Sequence, residues 1–316
     1  MTRPDILLTH PLFHVNQDTY QETYHFHCLW KATDPDAMIE QIAGSCRAVI
    51  VRGEFNGQHM DALPELGLIA VCGVGYDAVD VQAALERNIK VTHTPDVLTE
   101  DVADLALGLM LAAGRKIVQA DKYVRKGLWS SQGEMPYNQR VQSKRVGIIG
   151  LGRIGMAIAR RCEAMNMEIG YHNRNPKPEV AYPWFSTPSE LASWADYLLL
   201  ATPGGASTYH IINHNVSRAL GSSGILINVG RGTNVDHNAL QMALKNQTIA
   251  GAALDVIEGE PNIPDELLAL EDNLILQPHQ ASATYETRQD MVNLTLENIN
   301  AFLHNQPIPA LIPECR

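Results

Sequence analysis

The chain has 316 residues, 45% of them hydrophobic and 19% charged; at roughly 150 residues per domain that is about two domains, with core enough to need neither disulfides nor a metal. Long polar or repetitive tracts are missing from the sequence, which excludes wholesale disorder. Lysine and arginine number 24 against 35 aspartates and glutamates, a net charge of −11 that repels a nucleic-acid backbone and argues against such a partner.

The first residues, 1–15, carry Arg3, Asp5, His10 and Pro11 instead of an unbroken apolar run, so no signal peptide is expected. Short apolar segments follow at 5–9, 25–30, 48–52, 67–71 and 89–92, with helical material such as 36–43 between them. The most apolar stretch, 102–113, contains Asp104 and falls short of the roughly 20 residues a bilayer needs, so no membrane span is expected. Apolar nearly all round, 100–113 reads as a helix buried between domains or in a subunit interface. From Lys144 the rhythm restarts, with predicted strands at 145–149, 168–171, 197–201, 225–229, 251–254 and 274–276. A capping Thr187, Pro188 in the first turn and Glu190 three residues after the cap mark a helix start between them. A last helix is predicted at 285–304. Strands alternating with helices throughout predict an α/β chain with two doubly wound parallel sheets. Five scattered cysteines, Cys28, Cys46, Cys72, Cys162 and Cys315, have no close ligand spacing; they read as reduced thiols of a cytoplasmic protein, and no metal site is expected.

The predicted strand 145–149 runs directly into Gly150-Leu151-Gly152-Arg153-Ile154-Gly155 and then into a helix. In that context each glycine has a task. Gly150 makes the tight turn, Gly152 lets a pyrophosphate approach the backbone, and Gly155 lets the helix pack on the strand. The next strand ends at His172-Asn173-Arg174, and no Asp or Glu occurs from 169 to 178. The carboxylate that would hold the ribose of NAD is missing, while Arg174, with Asn173 and Lys177 nearby, suits a 2′-phosphate. NADPH is therefore expected in preference to NADH.

Three later segments put ionisable residues at the carboxyl ends of predicted strands, where α/β sheets place chemistry. Arg231, between Gly230 and Gly232, can meet a small anion with a planar, bidentate guanidinium. His279 follows Pro278 and can exchange a proton near neutrality. Glu260, in Glu258-Gly259-Glu260-Pro261, would stabilise an imidazolium and fix its ring if it lay beside His279.

In these motifs, their order and their spacing, the chain resembles the D-isomer-specific 2-hydroxyacid dehydrogenase family over essentially its whole length. Residues 94–104 (Thr-Pro-Asp-Val-Leu-Thr-Glu-Asp-Val-Ala-Asp) resemble its glyoxylate, hydroxypyruvate and 2-ketogluconate reductase branch. The resemblance implies a Rossmann cofactor domain, 99–284, inserted into a flavodoxin-like substrate domain, 1–98 with 285–316. It implies that Arg231 orients the substrate, that His279 donates the proton and that Glu260 keeps it charged. Asp255 would lie near the nicotinamide; Arg153, Ile154, Thr202, Pro203 and Val229 would line the cofactor. Val74 and Gly75 would take the substrate carboxylate on backbone N–H groups, and Arg52 is a candidate second cation. Hinges are expected near 95–99 and 281–285.

Two places depart from the family pattern: Gln280 stands where many relatives carry an apolar residue or glycine, and the loop 130–140 has no usable match. The implied activity is NADPH-dependent reduction of a small 2-oxo acid, glyoxylate or hydroxypyruvate, by a homodimer. A 2-keto-D-gluconate reductase is the main alternative; a hydroxyphenylpyruvate reductase and a dinucleotide-sensing binding protein are further ones.

Overall fold

Runs such as Ala48–Val51, Leu68–Val71, Tyr197–Leu200 and Ile225–Asn228 are buried at every position, the signature of strands in a parallel sheet covered on both faces. The computed structural model describes residues 3–12, 20 and 22–316. It divides into two compact units: residues up to Leu98 together with Ala283–Arg316, and Thr99–Ser282. Among the described residues no helix is long and apolar enough to cross a membrane.

The first unit holds strands β1 (Asp5–Leu8), β2 (His25–Cys28), β3 (Ala48–Val51), β4 (Leu68–Val71) and β5 (Lys90–Thr92) in the order β2-β1-β3-β4-β5, with every neighbouring pair parallel. The order reverses between β1 and β3, so their carboxyl ends frame a crevice of the kind that binds ligands in open α/β sheets. Helix Tyr285–Leu303, capped by Thr284, packs on β4. The chain then returns to the free side of β5, where Leu311 bridges Thr92 and the Ile312 N–H donates to Val91 O at 3.1 Å.

The second unit holds β6 (Arg145–Ile149), β7 (Glu168–His172), β8 (Tyr197–Leu200), β9 (Ile225–Asn228), β10 (Gly251–Leu254) and β11 (Leu274–Leu276), all parallel, in the order β11-β10-β9-β8-β6-β7. Beyond β7, where a doubly wound nucleotide-binding sheet usually carries one more strand, a parallel bridge pairs Trp184 with Tyr171. The reversal falls between β6 and β8. Helix Thr99–Gly114 packs within this unit against helix Arg153–Ala164 and the strands β9 and β10, which accounts for its apolar composition.

Candidate active site

The glycine loop sits at the β6/β8 reversal. Gly150 adopts φ +97°, and a Cβ there would fall 2.7 Å from Thr202 Cγ2 and 2.8 Å from the Ala201 carbonyl. At Gly155 a Cβ would lie 2.2 Å from Gly150 O, so helix and turn touch only because Gly155 lacks a side chain. Gly152 differs: nothing lies within 4 Å of its would-be Cβ, and it begins helix Arg153–Ala164 with no side-chain cap. That leaves a helix N-terminus, rich in N–H donors and positive in its dipole, facing open space. Beside it the Thr202 hydroxyl oxygen is buried without a hydrogen-bond partner. An open cradle, an uncapped helix end and an orphan hydroxyl fit the diphosphate of a dinucleotide. Arg153 is exposed, Ile154 half-buried, and Pro203 exposed at the mouth of the same crevice, while Val229 is buried after β9.

Asn173 and Arg174, just beyond β7, do different work. The Asn173 side-chain oxygen accepts from the Leu151 N–H at 2.7 Å, so it ties the glycine loop to the neighbouring strand. Arg174 is exposed, and its Nη2 donates to Ser207 Oγ at 3.3 Å. No sequence pattern singles out Ser207 as the partner of Arg174.

After β9 two fully buried asparagines shape the loop that carries Arg231. Asn228 Nδ2 donates to Arg231 O at 2.9 Å and its Oδ1 accepts from Gly230 N at 3.0 Å; Asn234 Oδ1 accepts from Arg231 N at 2.8 Å. The half-buried Arg231 turns Nη1 onto Gly230 O at 2.9 Å. A Cβ on Gly232 would come within 2.2 Å of Glu258 N and Ile257 C, so this loop presses directly on the segment leading to Glu260.

His279 follows β11 in a left-handed conformation, φ +56°. Its Nδ1 donates to Glu260 Oε1 at 2.6 Å, while Glu260 Oε2 accepts from Ile257 N at 3.0 Å. Burial alone would raise the Glu260 carboxyl. The hydrogen bonds from His279 and Ile257, with the charges of His279 and Arg231, outweigh it and hold the group below its ordinary value. Asp255, 1% exposed, accepts from the N–H groups of Gln280 at 2.7 Å and Ala281 at 3.0 Å. Burial pushes its carboxyl up, against the pull of those two donors and of His279. Arg231, Glu260 and His279 thus converge in one unit, with Asp255 beneath them.

Residues 107–281 match the family described as "D-isomer specific 2-hydroxyacid dehydrogenase, NAD binding domain". The chain belongs to the D-isomer-specific 2-hydroxyacid dehydrogenase family. It is 42% identical over 298 residues to glyoxylate/hydroxypyruvate reductase A of Arabidopsis thaliana, covering 94% of this chain and 95% of that one. A 2-ketogluconate reductase of Gluconobacter oxydans is 40% identical over 309 residues, 97% of this chain and 98% of the other. The crystal structure of an NADPH-dependent glyoxylate/hydroxypyruvate reductase from Sinorhizobium meliloti, in complex with NADP and malonate, superposes with a TM-score of 0.93 at 40% identity, covering 99% of this chain and 98% of that one. The dehydrogenase is thus an NAD(P)-dependent 2-oxoacid reductase, built from two parallel-sheet α/β units.

The remaining expected residues of the dehydrogenase lie in its first unit. Arg52 follows β3 at the crevice and its N–H donates to Thr9 Oγ1 at 3.2 Å; burial pushes its guanidinium below the ordinary value, opposed by nearby Cys72. Val74 and Gly75 are half-buried in the loop after β4. The Val74 carbonyl accepts from His93 Nδ1 at 3.0 Å and the Gly73 carbonyl from Thr94 N at 2.8 Å, which fixes the loop by its oxygens. Tyr76 packs edge-on against the His93 ring.

Proposed function

We propose that this dehydrogenase reduces glyoxylate or hydroxypyruvate with NADPH, giving glycolate or D-glycerate. The observation that carries this reading is the 2.6 Å bond between His279 Nδ1 and Glu260 Oε1, which fixes the ring and leaves Nε2 to serve substrate. In the reaction a bound nicotinamide supplies hydride to C2 of the 2-oxo acid. The chain supplies the rest. His279 Nε2 gives its proton to the oxygen at C2 as negative charge develops there, and Glu260 stabilises the imidazolium beforehand. Arg231 offers its guanidinium to the substrate carboxylate and carbonyl, lowering the energy of the developing charge. Arg52 and the backbone N–H groups of Val74 and Gly75 are assigned to the substrate carboxylate. Gly150, Gly152, Arg153, Ile154 and Gly155 are assigned to the diphosphate, Asn173 and Arg174 to the 2′-phosphate side, and Thr202, Pro203, Val229 and Asp255 to the nicotinamide side.

Arg174, with no acidic residue from 169 to 178, supports the choice of NADPH. We place the enzyme in the cytoplasm as a homodimer; Ile117, Val124 and Trp129, at 54%, 56% and 64% exposure, supply apolar surface suited to a second copy.

The deciding measurement is kcat/KM for glyoxylate, hydroxypyruvate and 2-keto-D-gluconate, each with NADPH and NADH. A clear preference for either of the first two acids with NADPH supports the reading. A preference for 2-keto-D-gluconate favours the second reading, which the similarity to the Gluconobacter reductase along nearly the whole chain also supports. His279→Ala should lose roughly 10² to 10⁴ in the rate of reduction; unchanged turnover would remove it from the mechanism.

A further inference from the structure

At the opposite end of the first sheet from Arg52, Val74 and Gly75, the amino ends of β1 and β2 bring together three side chains that the reductase chemistry does not use. The parallel register pairs Asp5 with His25 and Leu7 with His27. Residues two apart on a strand share a face, so His25, His27 and Asp5 project to the same side. There His25 Nδ1 lies 2.9 Å and His27 Nε2 2.7 Å from the same atom, Asp5 Oδ1. Among the described residues this is the only group of three His, Cys, Asp or Glu whose donor atoms all fall within 4.8 Å of one another.

We propose that Asp5, His25 and His27 form a binding site for a zinc-class divalent cation that pins the edge strand β2 to β1. Two imidazoles and one carboxylate are a donor set suited to zinc, with a fourth position for water. A tetrahedral zinc with bonds near 2.0–2.2 Å holds its donors about 3.4 Å apart, so Asp5 Oδ1 needs to part from the two ring nitrogens by only about 0.5–0.7 Å, and those nitrogens already lie within 4.8 Å of one another. Each ring then coordinates through a nitrogen that bears no hydrogen. The hydrogen that bridges to Asp5 moves to the ring's other nitrogen or leaves to solvent, as ligation requires.

The surroundings fit this use. Ser45 Oγ donates to Asp5 Oδ2 at 2.6 Å, orienting the carboxylate as outer partners of ligands do. His27 and Asp5 are largely covered, with side-chain exposures of 13% and 22%, while His25 at 57% leaves one side open for entry. Among the described residues strand β2 pairs on one side only, so an ion shared with β1 replaces the tie that a second neighbouring strand would give. This cluster leaves no mark in the sequence, where His25-Phe26-His27 lies 20 residues from Asp5 and only the strand register joins them, and no metal site was expected there.

The test uses the full, tag-free chain, treated with chelator and desalted, and titrated with Zn²⁺ against a competing indicator. One equivalent should bind with micromolar or tighter affinity. His25→Ala/His27→Ala should lose that equivalent while keeping reductase activity, His279→Ala should retain it, and Ser45→Ala should weaken it about tenfold. Should the double variant fail to fold, Asp5→Asn serves instead: Zn²⁺ should raise the melting temperature of the wild type and not of this variant. Absence of stoichiometric binding by the wild type, or retention of the equivalent in the double variant, overturns the proposal. So does an equal thermal shift in Asp5→Asn.

Discussion

Asp255 holds His279 from below: the His279 N–H donates to the Asp255 carbonyl at 2.9 Å, and the Asp255 carboxylate takes the next two N–H groups, those of Gln280 and Ala281. One residue at the end of β10 therefore sets the backbone of the segment that presents the imidazole. Asp255→Ala should cost about 1–3 kcal/mol in urea unfolding, because the Ala281 N–H is left buried without an acceptor. The rate of reduction should fall as well, since the backbone just after His279 loses the two side-chain bonds that set it. Asp255→Asn keeps one acceptor and should lie between.

Glu260 gives a pH signature. Its folded carboxyl titrates below the ordinary 4.5, so its stabilising contribution is complete above that value and is lost as pH falls through the lower folded one. Unfolding of wild type and Glu260→Gln should therefore differ most at neutral pH and converge in acid. A gap that stays constant with pH would contradict the ion pair with His279.

The glycine loop offers two substitutions with opposite readouts. Gly152→Ala puts its methyl into open space, so the chain should melt as the wild type does and bind NADPH more weakly. Gly155→Ala drives a methyl into Gly150 O and should cost about 1–3 kcal/mol as an overpacked contact. Thermal melts and cofactor titrations on the two variants separate space kept for a ligand from space needed for folding.

In the proposed function Arg174 carries the cofactor preference. Arg174→Ala should lower kcat/KM with NADPH by roughly tenfold or more, the value of a charge-assisted hydrogen bond, and leave NADH nearly unchanged. Equal losses with both cofactors would assign the 2′-phosphate to other groups.

Eleven predicted strands appear as β1 to β11, with ends shifted by no more than two residues, because buried parallel strands read as short aliphatic runs bounded by breakers. The capping box at Thr187 and Glu190 is formed as its residue types predict. Short helices such as Gly57–Asp61 escaped notice: five residues show no periodicity, and their order rests on Asn56 capping the first turn. Arg231, Glu260 and His279 were legible as types at strand ends, and the 2.6 Å contact between the last two was not, since it depends on loops that leave two different strands. The holding roles of Asn234 on Arg231 and of Asn173 on Leu151 left no mark in the sequence, because an asparagine that bonds a neighbouring backbone looks like any loop asparagine.

The first sheet is completed by both ends of the polypeptide, whereas Thr99–Ser282 is one uninterrupted stretch. During synthesis the contiguous unit emerges whole and can close on the ribosome. Strand β4 waits for helix Tyr285–Leu303, and β5 waits for Leu311 and Ile312. The part made first is therefore finished last, and a chain stalled before residue 285 carries a closed cofactor fold beside a sheet whose apolar face is uncovered and open to chaperones and aggregation.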